Sequence, residues 1–198
     1  RIVENVIAPR LGRGSSYKST GGKVLPMPAW LYDSLKRWHQ LSFINTQKTR
    51  RMLEEILPVS DAPDEIEALT HLIEENKGFE MYRAVEAAKV ALSGSKSAHL
   101  SFNAAPIAIE ADIERSDFDR WVAPELAEIG GCVDRLIEES GVAPEKIDRV
   151  FLTGGTSFIP AVRALFSARF GLEKLAGGGE LTSVATGLAL SARQRFGG

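Results

Sequence analysis

Val150-Phe151-Leu152 runs into Thr153-Gly154-Gly155-Thr156-Ser157-Phe158-Ile159-Pro160, and this junction restricts the architecture of the chain more than any other stretch. The short, β-rich apolar run reads as a buried strand. The glycine pair permits positive φ and leaves room for a ligand against the backbone. Thr156 or Ser157 offers an acceptor to the free amides of the following turn, and Pro160 suits the first turn of a helix. Strand, glycine pair and helix N-terminus together suit an anion or a nucleotide. An ordinary strand-to-helix turn uses the same residues, so the remainder of the chain has to separate the two readings.

The chain has 198 residues, 44% of them hydrophobic, with a formal net charge of -2. That is enough for one large domain or two small ones. No apolar run approaches the roughly 18 residues of a membrane span, and no secretory signal is visible. Cys132 is the only cysteine, which excludes a disulfide framework and a thiolate metal cluster. A cytoplasmic protein without a membrane partner is expected. The chain opens on Arg1-Ile2-Val3, and is expected to be a piece of a longer protein. Residues 1–51 hold ten basic residues against Glu4 and Asp33, a net +8 within a chain whose total is -2. Such an arm could meet nucleic acid or an acidic partner. No aromatic residues are interleaved as stacking platforms, so a solvated or partner-facing surface is favoured over nucleic acid.

Residues 1–26 are rich in Gly, Ser and Lys and are expected as loop, mobile from Gly12 to Gly22. From Pro28 a helical pattern through Trp30, Leu31, Leu35, Trp38, Leu41 and Phe43 continues past Met52, Leu53 and Ile56 until Pro58 stops it. A second helix, Asp61 to Asn76, is capped by Asp61, buries Ile66, Leu69, Leu72 and Ile73, and is closed by Gly78. The third helix, about Phe79 to Leu92, carries a core stripe of Met81, Val85, Ala88 and Leu92. Glu86, Lys89 and Ser93 fall at i, i+3 and i+7 and share another face, so an acceptor, a donor and a hydroxyl point one way. Taken alone they read as a surface Glu–Lys pair, worth a few tenths of a kcal/mol, roughly 0.2–0.5.

Ser97 to Asn103 and Pro106 to Ile113 alternate and are short-linked, which predicts an antiparallel hairpin. Ser116-Asp117-Phe118-Asp119 resembles a capping box, opening a helix to about Ser140 with Phe118, Val122, Ile129, Val133 and Leu136 inside and Cys132 a small buried residue. Gly141 ends that helix. Beyond Pro160 a helix carries Val162, Leu165, Phe166 and Phe170 to near Gly171. Gly177-Gly178-Gly179 then turns into a last helix, Leu181 to Arg195. The second half is a βα unit framed by helices, an α/β layer. His39, His71 and His99 lie far apart, no serine sits in a nucleophile elbow, and no Gly-Lys-Ser/Thr phosphate loop is present.

Taken in order, the helix with Glu86, Lys89 and Ser93, the hairpin, the long helix, Ile147 to Pro160 and finally Ser183-Val184-Ala185-Thr186-Gly187-Leu188-Ala189 resemble the second lobe of the nucleotide-binding domain of DnaK-type chaperones. This is the heat-shock protein 70 family, within the actin, hexokinase and heat-shock superfamily. The resemblance covers about residues 79–193, and the opening through Trp38-His39 is closest to the YegD-like branch. It implies an α/β fold: the C-terminal lobe of an actin-like ATPase domain, with an α+β cap over 1–115, mostly helical with a β-hairpin, and a partial ribonuclease H-like base over 116–198. It implies ATP or ADP in a deep cleft, with Glu86 and Lys89 at the ribose hydroxyls, Ser93 at the adenine edge, Gly154 and Gly155 closing on the α-phosphate and ribose, and Thr156 beside them among the nucleotide-binding residues.

Two positions depart from the family pattern. Val90 and Phe158 stand where the relatives have the two arginines that sandwich adenine, so the resemblance here implies an apolar clamp. Mg²⁺, the catalytic lysine and both phosphate loops belong to a missing N-terminal part, so no ATP hydrolysis by this piece alone is expected. The implied partners are that missing part of the same chain, unfolded client proteins and a co-chaperone, in stress response and protein folding. An open sheet edge predicts dimerisation or poor solubility of the isolated piece. An actin-like or sugar-kinase-type ATPase lobe, or a nucleic-acid or partner module built on residues 1–51, are the alternative readings.

Overall fold

Ile2, Val3, Ile7, Ala8 and Leu11, expected in a loop, are buried along a π-helical turn Val3–Ile7 that runs into a 3-10 turn Ala8–Leu11. The four-residue spacing of Val3, Ile7 and Leu11 is a helical signal that the Gly/Ser content downstream conceals. The structure is a computed structural model describing residues 1–177 and 182–196, without the side chains of Trp38, His39 and Ser183. Tyr32 donates its hydroxyl to the Leu11 carbonyl at 3.1 Å, and burial pushes that phenol up. The stretch expected to be mobile forms an antiparallel ribbon of β1 (Ser16–Lys18) and β2 (Val24–Pro26). Gly22, at φ 77, supplies the left-handed residue of its turn.

Asp61 does not cap the next helix. Its carboxylate accepts from the Ser16 amide at 2.8 Å and the Ser16 hydroxyl at 2.7 Å, which hold it below the usual carboxylate range. The single long helix expected from Pro28 is three: α1 (Ala29–Leu35), α2 (Trp38–Ile44) and α3 (Gln47–Ile56). Arg37 is extended between the first two, and Thr46 caps the third by accepting from the Thr49 amide at 3.2 Å. Phe43, expected inside, is exposed, because the break before it rotates its face outward relative to the assumed continuous helix. The side chains of Trp38 and His39 lie outside the described residues.

Helix α4 (Pro63–Glu74) buries Ile66, Leu69, Leu72 and Ile73 as its spacing predicts. Asn76, not Gly78, closes it: at φ 54 it lets the Lys77 amide reach the Leu72 carbonyl at 3.1 Å and its own amide reach Ile73 at 3.3 Å. That is a Schellman closure with asparagine in the left-handed position. Gly78 instead starts α5 (Gly78–Gly94), where a Cβ would collide with Leu41 Cδ1. Next, β3 (Ser97–Ala104) and β4 (Ile107–Glu114) pair antiparallel through a cis Ala105–Pro106 bond, with Ser97 opposite Glu114 and Ala104 opposite Ile107. Strict alternation buries Ala98, Leu100, Phe102, Ile107, Ile109 and Ile113 on the face that α5 covers. These elements belong to one compact unit, Arg1–Trp121.

The second unit is Val122–Gly198, so the division falls inside α6 (Arg115–Ser140). Ser116 lies within that helix rather than capping it, and the Arg115 amide donates to the Lys96 carbonyl at 2.7 Å. Val122, Ile129 and Val133 are half-buried, whereas Leu136 and Cys132, both expected inside, are exposed. A stripe on one side of a helix is covered only as far as its neighbours reach. Helix α7 (Pro160–Phe170) is joined to α6 through Arg169, whose guanidinium forks onto Asp134 at 2.7 and 2.9 Å and passes over Gly130, with Nη2 2.7 Å from where a Cβ would stand. Strand β5 is only Val150–Phe151 and pairs in parallel with β6 (Leu175–Ala176). Phe151 is 76% exposed, so the strand expected to be buried is covered only through Val150 and Leu152. Helix α8 (Ser183–Phe196) is exposed at every described side chain; Gly178, Gly179 and Leu181 lie outside the described residues.

Candidate functional site

Two sets of sequence-predicted residues are held by two local structures, one in each unit. The first is the α5 face. Met81, Ala88 and Leu92 turn inward and anchor the helix, and Glu86, Lys89 and Val90 are left on its other side. Lys89 Nζ is ion-paired with Glu86 Oε2 one turn away. The Ser93 hydroxyl donates to the Lys89 carbonyl at 3.1 Å, the usual back-bond of a helical serine. Val90 is 63% exposed, so an apolar surface stands open to solvent beside the charged pair. The face therefore offers carboxylate oxygens as acceptors, an ammonium as donor and an aliphatic wall. An exposed i, i+3 pair of this kind is weakly held and exchanges readily with a competing partner.

The second set lies in the turn after β5. Gly154 has φ 84 and ψ 159, a conformation essentially restricted to glycine. It is followed by a 3-10 turn, Gly155–Phe158, rather than directly by the helix. The expected capping role of Thr156 or Ser157 is not observed. Ile159 is the N-cap of α7 and no side chain caps it. Ser157 points inward instead, and both its hydroxyl (2.6 Å) and its amide (3.1 Å) donate to the Gly154 carbonyl. At 4% exposure Ser157 staples the turn from inside and leaves Gly155 and Thr156 exposed. A Cβ at Gly154 or Gly155 would meet no atom within 4 Å, so both glycines border open space. Phe158 is 41% exposed beside them.

Glu86, Lys89, Val90 and Ser93 are thus gathered on one helix, and Gly154, Gly155, Thr156 and Phe158 in one turn. Sequence reasoning missed the stapling role of Ser157, for which a serine three residues after glycine was the available signal. It also missed a cross-strand cluster around His99, legible only once the hairpin register pairs His99 with Asp112. Among the described residues no group of three His, Cys, Asp or Glu side chains is arranged to hold a metal, and no helix is long and apolar enough to cross a membrane.

The family model described as Hsp70 protein matches residues 71–197, which include both sets. The chain is 28% identical over 101 residues to chaperone protein DnaK from two strains of Thermus thermophilus, an alignment covering 47% of this chain and 16% of those proteins. It is 32% identical over 114 residues to a chaperone protein HscA homolog of Delftia acidovorans, covering 58% of this chain and 18% of that protein. The chain therefore spans under a fifth of the length of the curated relatives it matches. With more than half of its residues, including the α5 face and the Gly-Gly turn, inside one family model, the chain belongs to the Hsp70 family.

Proposed function

We propose that this chain is the adenosine-binding lobe of an ATP-dependent, chaperone-type ATPase, the C-terminal lobe of its actin-like domain. The observation that carries the reading is that one family match, over residues 71–197, spans both residue sets whose chemistry suits a nucleoside. Glu86 would accept from the ribose hydroxyls and Lys89 would donate to them, exchanging their mutual pair for the ligand. Ser93 would turn its hydroxyl from the Lys89 carbonyl to the adenine edge. Gly154 and Gly155, with open space where side chains would stand, suit close approach of the α-phosphate and ribose to the backbone, with Thr156 exposed beside them. Val90 and Phe158, both exposed, would each give the base an apolar contact in place of guanidinium stacking. ATP and ADP are the ligands.

Mg²⁺ and the phosphoryl chemistry would, in this reading, belong to the N-terminal part of the ATPase domain. In this reading residues 1–115 form the cap and 116–198 the base, in the YegD-like branch, and ATP turnover needs the whole domain. Unfolded clients and a co-chaperone are the partners, in the cytoplasm. The exposed edge and face around Phe151 would pack on the rest of the ATPase domain, and would pair two copies when that part is absent.

The test is calorimetric titration of ADP into the natural full-length protein and into its Glu86→Ala/Gly155→Val variant. The expected result is loss of measurable binding in the double variant with its circular dichroism unchanged. Undiminished binding would remove the site assignment.

A further inference from the structure

The outer face of the β3–β4 hairpin carries a closed polar cluster for which nucleotide binding has no use. The register sets His99 opposite Asp112 and Ser101 opposite Glu110. His99 Nδ1 lies 2.7 Å from Asp112 Oδ1, and its Nε2 lies 2.8 Å from Glu110 Oε2. Carboxylates only accept, so each ring nitrogen must carry a proton to hold its partner at such a distance. A neutral ring has a single N–H, and its second nitrogen would turn a lone pair toward a carboxylate oxygen. Glu110 is fixed from its other side: the Ser101 hydroxyl donates to Oε1 at 2.8 Å and the Asn103 amide donates to the same oxygen. It cannot swing away without losing two more bonds.

We propose that His99 is an imidazolium clasp across β3 and β4, and that loss of its proton opens the clasp and makes the outer face of this hairpin respond to pH. Asp112 first and Glu110 second raise the affinity of the ring for its proton, against a smaller effect of desolvation. Ser101 and Asn103, then His99, hold the Glu110 carboxyl below its ordinary range. Glu114, opposite Ser97, is the third carboxylate of the face. From α5, Glu80 and Arg83 line a shallow hollow with Ser101 and Asn103. Helix α4, which also touches β4, presents its buried apolar side chains Ile66, Leu69, Leu72 and Ile73.

A proton affinity raised in the folded state stabilises fully below the ordinary histidine value of about 6.5, and the effect is lost as pH rises through the raised midpoint. Glu110 works in the opposite direction: its contribution is present above the ordinary carboxylate range and fades as pH falls through its lowered one. The clasp is therefore closed below the ordinary histidine value and opens as pH rises through the raised midpoint, where the face becomes more negative by one charge.

The experiment is an NMR titration of the histidine rings in the full chain, with the same residues in the urea-unfolded chain as reference. His99 should titrate above its unfolded value, with both ring nitrogens protonated on the acid side. Asp112→Asn and Glu110→Gln should each weaken proton binding at His99 by about threefold or more, half a pKa unit on the usual scale. Amide protection in β3 and β4, taken relative to the intrinsic base-catalysed exchange rate at each pH, should weaken across the His99 midpoint in the native chain and stay level in His99→Gln. Should a carboxylate variant fail to fold, Ser101→Ala keeps the ring contacts and must leave His99 titrating above the unfolded value. A His99 midpoint at or below the unfolded value, or one that neither carboxylate variant moves, would overturn the proposal.

Discussion

In Arg1–Trp121, helices α4 and α5 keep Leu69, Leu72, Met81 and Leu92 at 2% exposure or less, whereas in Val122–Gly198 Phe151, Val184 and Leu188 stand 67–76% exposed. Both regions carry comparable apolar periodicity. The first has three layers of partners for it: the N-terminal turns, the α1–α5 helices and the inner face of the β3–β4 hairpin. The second has two-residue parallel strands, and parallel sheets are stable where both faces are covered. Periodicity identifies the face that needs cover; neighbours decide whether it is covered. A self-sufficient unit and a unit with open apolar faces follow from sequences of similar hydrophobic content.

The largest effect separating the two should come from core truncation. Leu69→Ala, at a fully buried position, is expected to cost about 2–5 kcal/mol. Leu188→Ala, on the exposed α8, should change stability by less than about 0.5 kcal/mol. Urea unfolding of both variants checks this, and equal losses would end the distinction between the units.

Glycines give the next contrast. Gly78→Ala drives a Cβ into Leu41 and should cost about 1–3 kcal/mol by overpacking. Gly155→Ala meets open space and should leave the thermal midpoint within about 2 °C of the parent, a change below about 0.5 kcal/mol. A loss at Gly155 as large as at Gly78 would show that the turn is already filled.

The smallest expected effect is in acid. A hydrogen bond from the Arg13 guanidinium, helped by Arg1 and Lys36 and opposed by partial burial, holds the Glu4 carboxyl down at about 2. A lowered carboxylate stabilises above its ordinary range, near 4.3, and the effect is lost as pH falls through the lowered value. Amide protection in Val3–Ile7 should therefore weaken between about pH 4 and pH 2, and Glu4→Gln should remove that dependence while lowering protection at pH 7. Protection that is flat across this range in the native chain would show that Glu4 does not tie the segment down.

Much of the local structure was legible in the sequence. The α4 stripe, the alternation of β3 and β4 and the start of α7 at Pro160 carry strong periodic or proline signals, and all three are found. The breaks at Arg37 and Asn45 were missed because apolar spacing continues across them, while the interruption lies in backbone geometry. Asp61 and Ser157 look like helix caps, yet each bonds elsewhere, since a short polar side chain takes whichever backbone or hydroxyl partner the tertiary structure brings near. The π and 3-10 turns of Val3–Leu11 were concealed by Pro9 and the glycines that follow. At the candidate site the residue types were legible, and so was their grouping on one helix and in one turn. The Glu86–Lys89 pair and the internal staple by Ser157 depend on rotamers, and no spacing reveals those.

Hydrogen–deuterium exchange of the natural full-length protein with and without ADP tests the adenosine reading most directly. The account predicts slower exchange in two segments that belong to different units, residues 83–95 and 152–160, with residues 97–104 unaffected. ADP binding that protects neither segment, or only one of them, would contradict it.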